Sequence, residues 1–177
     1  RLDGAAPRAG QLFAAIDFEH QALLCEIMRA FPGMALIGCT TDGEFSSELG
    51  FREDSATLIL FVSDTVDITS GVGRALRGDV VGAGRSASEA AQAKTDKPPR
   101  LCIATPEGIT VDGHSVTATL QHAIGQDIPF FGALAGDQSR LTSTHQFYGT
   151  EVLTDAIPVL LFCGDVPFPY GVATGWR

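Results

Sequence analysis

Two glycine-containing segments combine a backbone that can approach a ligand closely with side chains that can hold one. Both follow apolar runs of strand character, one at residues 38–44 and the other at residues 132–137. Glycine allows positive φ and leaves backbone N–H groups open to an anion, and carboxylates accept hydrogen bonds from a cation. Because ligands of α/β proteins sit beyond strand ends, we expect the two segments to enclose one cavity. The candidate binding residues are Gly38, Cys39, Thr40, Thr41, Asp42, Gly43, Glu44, Gly132, Ala133, Ala135, Gly136 and Asp137.

A simpler interpretation of the same segments is that both are turns whose glycines serve only the backbone geometry. Spacing alone favours this interpretation. The absence of a GxSxG, P-loop or HExxH motif also argues against catalysis. Another glycine pair, Gly82 and Gly84, matches the dinucleotide-binding pattern GxGxxA. Only Val80 and Val81 precede that pair as an apolar run, which is too short for the strand that the motif requires, so we predict a helix start there.

The four cysteines are too far apart in sequence to form a zinc site or a disulfide framework of recognisable spacing. Cys25, Cys102 and Cys163 lie within apolar runs, so we expect small buried hydrophobes in a reducing, cytoplasmic setting. Cys39 follows a predicted strand, and a thiol enzyme that uses it is one alternative for the function. A cysteine nucleophile needs a base and a lowered pKa, however, and no histidine adjoins Cys39 in sequence.

Length and charge exclude several classes of protein. The chain has 177 residues, of which 45% are hydrophobic and 19% charged, and this indicates one folded domain. Its net charge of −9, without any basic stripe, argues against binding of nucleic acid or of an anionic membrane surface. The longest apolar run, residues 156–163, is too short for membrane insertion. The chain begins with Arg1 and not with Met, so we expect it to be part of a longer polypeptide.

The first half of the chain shows a strand, a helix and further strands. Apolar runs predict strands at residues 11–17, 34–39, 57–62 and 66–70. Between the first two strands, Asp17 is the expected N-cap of a helix that Pro32 and Gly33 end. The apolar stripe of this helix consists of Leu23, Leu24, Ile27, Met28 and Phe31.

The second half shows similar elements in the same order. Strands are predicted at residues 101–104, 145–153 and 159–163, with a run that continues over residues 166–171. Val116, Leu120 and Ile124 form a helical stripe after the first of these strands. Between the halves, we predict a helix over residues 84–93 and a surface connector over residues 94–100, which are polar and include two prolines.

The matching order of elements predicts an internal duplication. Gly38 corresponds to Gly132 at an offset of 94 residues (132 minus 38), and residues 64–66 correspond to 164–166 at an offset of 100 (164 minus 64). We therefore predict two pseudo-repeats, at about 11–78 and 100–177, joined by residues 79–99. The expected fold is α/β, with a mixed, largely antiparallel sheet built from two duplicated β-α-β-β-β halves and helices that cover the sheet faces.

Three segments resemble the N-terminal part of the FIST sensory domain. They are the run from Phe31 to Phe45, the run from Asp127 to Asp137 and the closing residues 175–177. The segments follow one another in the order of the family pattern and span nearly the whole chain. The family pattern often has a second glycine where this chain has Phe131.

The resemblance implies a cytoplasmic sensory input domain of a bacterial signal-transduction protein, without catalytic activity, cofactor, nucleic-acid partner or membrane insertion. Amino acids are the ligands usually proposed for the family. The expected partners are a C-terminal FIST part and an output domain of the histidine kinase, methyl-accepting or cyclic-dinucleotide type. For an amino acid, Asp42, Glu44 and Asp137 would bind the ammonium group, and N–H groups near the glycines would bind the carboxylate. A structural or interaction domain without any ligand is the alternative.

Some members of the family are haem-binding nitric-oxide sensors, which makes haem an alternative ligand. Haem needs an axial ligand such as histidine. His114 and His122 fall off the apolar stripe of their helix and His20 opens a helix, so we expect all three at the surface. His145, near two aromatic residues, is the best of the candidate ligands. Trp176 is expected to pack on the edge of the core or to gate the site.

Overall fold

The computed structural model describes residues 4–167 and Gly171 of the chain. Three helices and eleven strands form within these residues. The helices are α1 His20–Ala30, α2 Val80–Gln92 and α3 Gly113–Ile124. The strands are β1 Ala9–Ala14, β2 Ala35–Thr40, β3 Glu44–Ser46, β4 Gly50–Arg52, β5 Ala56–Phe61, β6 Asp67–Arg74, β7 Pro99–Ala104, β8 Phe130–Gly132, β9 Gln146–Tyr148, β10 Glu151–Leu153 and β11 Ala156–Cys163.

The first sheet has the strand order β10-β9-β2-β1-β5. β1 and β2 are parallel and are connected by α1, whereas the other neighbours in this sheet are antiparallel. α1 buries the stripe that its sequence predicts, since Leu24 and Ile27 lie in one buried cluster with Leu12 and Leu36 of the sheet. This helix therefore covers the outer face of the first sheet.

The second sheet has the strand order β6-β11-β7-β8. β7 and β8 are parallel and are connected by α3, whereas β11 is antiparallel to both of its neighbours. All residues of β11 are buried, as its uninterrupted apolar sequence requires of a central strand between two layers. α2 and α3 cover the outer face, where Ala87 and Leu120 share a buried cluster with Val159 and Leu161.

The two sheets stack face to face, and the described residues therefore form four layers. Leu160 and Phe162 of β11 meet Ala9 of β1 and Ile37 of β2 in a cluster between the sheets. Phe162 also meets Phe61 edge to face, with the ring centroids 5.1 Å apart. The order of the layers is α1, the first sheet, the second sheet, and then α2 with α3.

Each half of the chain contributes strands to the sheet of the other half. β6 follows β5 in sequence but pairs with β11 in the second sheet, and β9 with β10 completes the first sheet. Both halves contain a parallel β-α-β unit. A Cβ atom would lie 2.0 Å from a carbonyl oxygen of the neighbouring strand at Gly38 and 2.3 Å from one at Gly132. The common origin of the two halves stays a prediction.

The predicted fold class is confirmed, since the chain is α/β with mixed and largely antiparallel pairing. The strands are nevertheless divided among separate sheets. α2 begins at Val80 and not at Gly84, because Asp79 caps it by accepting a hydrogen bond from the N–H of Gly82 at 2.8 Å. The single strand predicted over 145–153 is two strands, with a turn at Gly149, whose φ is +58°.

Other sequence-based expectations about the elements are wrong or lie outside the described residues. Glu19 and not Asp17 precedes α1 as its N-cap, and Glu19 makes no side-chain capping bond. The hairpin of β3 and β4 has no counterpart among the predicted strands, because its residues are mostly polar and lack a clear period. The predicted run over 166–171 and the candidate gate Trp176 fall largely or wholly outside the described residues. None of the helices in residues 4–167 combines the length and hydrophobicity that a membrane span requires.

Candidate functional site

The carboxyl ends of the parallel strands meet at one end of the molecule. Thr105, just after β7, donates a hydrogen bond from Oγ1 to the carbonyl oxygen of Gly38 in β2 at 3.0 Å. Gly136, after β8, donates from its N–H to the carbonyl oxygen of Thr40 at 2.9 Å. The two predicted segments are therefore in contact, at the place where α/β sheets bind ligands. We name residues 15–19, 41–44 and 133–145 together the loop junction.

Thr40 holds both ends of the long loop at residues 136–145. Its N–H donates to the carbonyl oxygen of His145 at 2.9 Å, and its Oγ1 accepts from the N–H of His145 at 3.0 Å. Its carbonyl oxygen accepts from Gly136, as described above. Thr40 is fully buried, so water does not compete for these hydrogen bonds. Both ends of the loop are thus fixed to a single residue of β2.

Asp42 anchors the middle of the same loop. Its Oδ1 accepts hydrogen bonds from the N–H groups of Gln138 at 2.6 Å and Ser139 at 3.3 Å. Gly136 passes so close that a Cβ atom there would lie 2.6 Å from Asp42 Oδ1. Glycine is therefore required at residue 136 by close approach to the other segment. The structure brings Asp42 to the second segment, where its carboxylate receives donors from the protein itself.

Asp137 shapes the loop from the inside. It is buried, and its carboxylate accepts hydrogen bonds from the N–H groups of Leu141 at 2.9 Å, Thr142 at 2.7 Å and Ser143 at 3.2 Å. Burial by itself would raise the pKa of Asp137, but the backbone donors outweigh burial and hold this pKa below its ordinary value. Asp137 is therefore ionised at neutral pH, with its oxygens occupied by the loop.

Glu44 is also used within the protein. It is buried at the start of β3, where the hydroxyl groups of Thr41 and Ser55 each donate to one of its carboxylate oxygens. The three carboxylates predicted to bind an ammonium group, Asp42, Glu44 and Asp137, thus all have internal donors. Asp42 is exposed, whereas Glu44 and Asp137 are buried, and the role of all three in ligand binding stays a prediction.

Three residues of the loop adopt the left-handed backbone conformation although none is glycine. The angle φ is +58° at Gln138, +61° at Ser139 and +52° at Leu141. This conformation costs an L-residue about 1–2 kcal/mol, because the Cβ atom approaches a carbonyl oxygen. The hydrogen bonds that the backbone N–H groups of the loop donate to Asp42 and Asp137 offset that cost. Backbone strain of this kind is concentrated at binding sites and switch segments.

An ion pair outside the predicted site closes the loop junction. Arg140 Nη1 donates to Asp17 Oδ1 at 2.7 Å, and Arg140 Nη2 donates to Asp17 Oδ2. The guanidinium group and the carboxylate thus form a bidentate ion pair. This contact lowers the pKa of Asp17 and raises the pKa of Arg140. Gln138 extends the network, donating from Nε2 to the carbonyl oxygen of Glu53 and to Asp54 Oδ1, each at 3.0 Å. The side chains of Arg140 and Asp17 are 46% and 65% exposed, so solutes can reach them.

Sequence reasoning missed Asp17, Gln138 and Arg140 as members of this site. Arg140 and Asp17 are separated by 123 residues, and no local pattern joins them. One signal in the sequence could have indicated Gln138 and Arg140: they form a polar run with Ser139 directly after Asp137, which ends a segment already identified as a candidate.

A small cavity adjoins the second glycine segment. Its volume is about 100 Å³, below the roughly 300–1,000 Å³ that is usual for ligand pockets. It does not reach residues 38–44, which face the loop at 136–145 instead. The residues that line it are Pro106, Gly113, Val116, Thr117, Phe130, Gly132, Ala133 and Leu134. Ala135 is buried beside it and donates from its N–H to the carbonyl oxygen of Pro106 at 2.9 Å.

Two histidines pack together beside the loop. His20 was expected at the surface but is buried, because the first turn of α1 lies against the loop junction. Its Nε2 forms a hydrogen bond of 2.9 Å with the carbonyl oxygen of Ala15. The centroid of its ring lies 5.3 Å from the ring centroid of His145. Burial and the nearby His20 lower the pKa of His145, whose Nδ1 is buried and has no hydrogen-bond partner among the residues that the structure describes. Haem ligation by His145 stays a prediction, while His114 and His122 are exposed as predicted.

The cysteines differ in their surroundings. Cys39 is buried in β2, and burial raises the pKa of its thiol to about 12, which argues against a nucleophilic thiolate at neutral pH. Cys102 and Cys163 are buried as predicted. Cys25 is exposed, contrary to the prediction, because it lies on the solvent side of α1. Within residues 4–167, no three His, Cys, Asp or Glu side chains are placed to hold a metal ion.

Comparison with known protein families gives the family of the chain. The family model of the FIST N domain matches residues 8–177, which is nearly the whole chain. The chain belongs to the FIST N family. FIST domains are sensory, ligand-binding domains of signal transduction and are not an enzyme family. The resemblance carried by the two glycine segments is thereby confirmed. A search of curated proteins found none that matches this FIST N chain.

Proposed function

We propose that this FIST N domain senses a small zwitterionic metabolite, an amino acid, that binds at the loop junction. The observation that supports this best is the ion pair of Arg140 and Asp17. It presents a guanidinium group and a carboxylate side by side, and these are the two groups that complement a free amino acid. Both side chains are open to solvent; Arg140 belongs to the strained loop, and Asp17 lies beside that loop.

The ligand binds by exchanging partners with this ion pair. The carboxylate of the ligand accepts hydrogen bonds from the N–H groups of Arg140, which in the free protein donate to Asp17. The ammonium group of the ligand donates to the carboxylate of Asp17. An exposed ion pair adds little net stability, so its replacement by two pairs with the ligand costs little. A ligand that lacks either charge makes only one of these pairs and binds more weakly.

The other candidate residues shape the site and complete it. Asp42 and Asp137 fix the part of the loop that carries Arg140. When the loop moves, the N–H groups of residues 138–143 become free to bind the ligand carboxylate, and Asp42 becomes free to bind its ammonium group. Glu44 remains a support for the turn at residues 41–44.

The response to binding is a movement of the loop at residues 136–145. A ligand changes a conformational equilibrium only when it binds one conformation more tightly. Exchange of the ion pair separates the loop from the segment before α1, so the ligand stabilises the separated conformation. In the cell, this change passes to a companion C-terminal FIST part and to a cytoplasmic output domain of the histidine kinase, methyl-accepting or cyclic-dinucleotide type.

Isothermal titration calorimetry against the common amino acids tests the proposal. For the amino acid that binds, we expect Arg140→Gln and Asp17→Asn each to weaken affinity by about ten-fold or more, because each removes a charge-assisted hydrogen-bonded pair. The matched control is Arg74→Gln, which breaks another half-exposed ion pair, with Glu151 at 2.9 Å. Its affinity for the ligand should equal that of the unaltered protein.

Two results would contradict the proposal. Unchanged affinity in Arg140→Gln would place the ligand elsewhere, and equal affinity for the deaminated analogue would remove the need for an ammonium group. Asp42→Ala and Asp137→Ala, titrated with the same ligand, test the two carboxylates separately. If no metabolite in a broad screen gives a saturable thermal shift, a structural role is favoured over sensing.

A further inference from the structure

The edge strand β5 differs from the other edges of the two main sheets. In the described residues, β8 and β10 are edges of three residues each, and two lysines bind backbone carbonyl oxygens of β6 and of the segment just before it. Lys94 Nζ binds the carbonyl oxygen of Ser70 at 2.7 Å, and Lys97 Nζ binds that of Thr65 at 2.9 Å. Short strands and lysines are common means of preventing an edge from pairing. β5 has six residues, and none of them is charged or proline.

The outer side of β5 presents a row of backbone groups without partners. The carbonyl oxygens of Ser55 and Phe61 accept hydrogen bonds from residues that flank β1, at 3.0 Å and 2.8 Å. Because alternate residues of an antiparallel strand face opposite sides, Ala56, Leu58 and Leu60 face outward. Among the described residues, the N–H and C=O groups of these three have no partner. A further strand is the structure that satisfies such a row.

A groove runs along the same edge. Its volume is about 370 Å³, and it lies between residues 55–58 and the hairpin of β3 and β4. Leu49 lines the hairpin side and is 63% exposed, and Leu58 lines the side of β5. The charged residues that line it are Arg52, Glu44 and Glu48, and two further acids, Glu53 and Asp54, lie between Arg52 and the lining residue Ser55 in sequence. The groove is therefore lined by polar and apolar residues in similar measure, with Leu49 and Leu58 as its large apolar side chains and acids in excess over bases around it.

We propose that this groove binds an extended segment of a partner polypeptide, which joins β5 as an added strand of the first sheet. Hydrogen bonds to Ala56, Leu58 and Leu60 hold the backbone of the segment, and its alternate apolar side chains pack beside Leu49. Basic residues at the ends of the segment complement the acids around the groove.

A second copy of the chain suits the groove less well than a single segment. Its β5 is uncharged and does not complement the acids around the groove, and the net charge of −9 on each copy opposes association. A second copy would also bring a whole sheet to a groove that the hairpin bounds on the other side. One extended segment needs only the width of one strand.

A peptide of alternating valine and threonine with lysine at both ends is the probe for this proposal. We expect the saturating peptide to slow amide hydrogen exchange at Leu58 and Leu60 by about ten-fold or more, with Thr57 and Ile59 unaffected. The same peptide with glutamate at both ends should bind about ten-fold more weakly. Of two lysine peptides N-methylated at alternate residues, one should keep its affinity and the other should lose it, because only one edge of the peptide faces β5.

Ile59→Lys, which places a lysine on the partly exposed edge, should abolish binding of the lysine peptide. The control is Val81→Lys, at an exposed site on α2, which should bind as before. Failure of every peptide to slow exchange at Leu58 and Leu60 overturns the proposal. Slow exchange at Leu58 and Leu60 in the chain without peptide also overturns the proposal. If that exchange rate depends on protein concentration, a second copy supplies the added strand. If it does not, another segment of the same chain supplies it.

Discussion

At the scale of single residues, the carboxylates of the loop junction act on backbone N–H groups. Asp42 and Asp137 between them accept hydrogen bonds from five backbone donors of one loop, and Asp42 reaches donors 96 and 97 residues away. Their neighbourhood was predictable, because the ends of parallel strands converge. Their donors were not, because backbone groups that meet only in the folded chain leave no pattern in the sequence.

The ionisation of Asp137 gives a prediction at this scale. Because backbone donors depress its folded pKa, Asp137 stabilises the folded state above the ordinary aspartate value of about 3.9. That contribution is lost as the pH falls through the lower, folded pKa. We expect the amide proton of Thr142 to titrate with a midpoint below about 3.9 in NMR spectra.

Asp137→Asn is the matched variant, because the amide cannot ionise. In this variant the Thr142 titration should disappear, and the free energy of unfolding should depend less on pH in the acidic range. A Thr142 midpoint at or above the ordinary value in the unaltered protein would contradict the assignment.

Other single residues show the limit of sequence reasoning. His20 and Cys25 both lie on α1. The sequence predicted an exposed His20 and a buried Cys25, and both predictions are wrong. The apolar stripe fixes which side of α1 faces the sheet, but it does not reveal that a loop from the second half covers the first turn. That reason applies to His20 in the first turn, whereas Cys25 lies in the middle of α1 and off its apolar stripe, where exposure follows from the helical period.

At the scale of elements, the loop at residues 136–145 is held in a conformation that its sequence does not favour. Three residues with positive φ lie within four positions, and the anchors at Asp42 and Asp137 impose this geometry. By contrast, α1 and α3 follow their sequences closely, because their apolar stripes match the helical period. Period thus predicted the helices, whereas the loop depends on anchors elsewhere in the fold.

Leu141→Gly tests this strain. Leu141 is 76% exposed with φ of +52°, so the change removes little packing and relieves the left-handed conformation. Relief of about 1–2 kcal/mol is opposed by the entropic cost of glycine, about 0.5–1 kcal/mol, so we expect the free energy of unfolding to rise by up to about 1.5 kcal/mol. Urea denaturation measures it.

Leu49→Gly is the control for Leu141→Gly, because Leu49 is similarly exposed but lacks positive φ. It should lower the free energy of unfolding by about 0.5–1 kcal/mol. Equal losses in both variants would show that the loop is not strained at residue 141.

At the scale of the whole molecule, the exchange of strands makes each sheet depend on both halves of the chain. β6 belongs to the first half and completes the second sheet, while β9 and β10 do the reverse. The sequence predicted the α/β class and the strands that have an apolar run of their own, but not the polar hairpin of β3 and β4. Their division between two sheets was not predictable, because pairing partners of equal hydrophobicity are interchangeable in a single sequence.

Leu160→Ala tests whether the halves unfold together. Leu160 is fully buried between the sheets, so we expect a loss of about 2–5 kcal/mol in the free energy of unfolding. Urea denaturation followed by circular dichroism should show one transition, and amide protection in β2 and β7 should be lost at the same urea concentration.

Leu49→Ala serves as the exposed control and should change stability by less than about 0.5 kcal/mol. Separate transitions for β2 and β7 in Leu160→Ala would mean that each half can fold by itself, despite the shared strands.

The attachment of residues 136–145 at both ends to Thr40 has a consequence for how relatives of this protein can diverge. Insertions, deletions or replacements between the two attachment points leave the register of β2 unchanged, since neither end has to move. For a ligand bound at the loop junction, as we propose, preference can therefore change in this one segment without any cost to the sheets. Transplanting residues 137–144 from one member of the family to another should transfer specificity and leave the melting temperature of the recipient nearly unaltered.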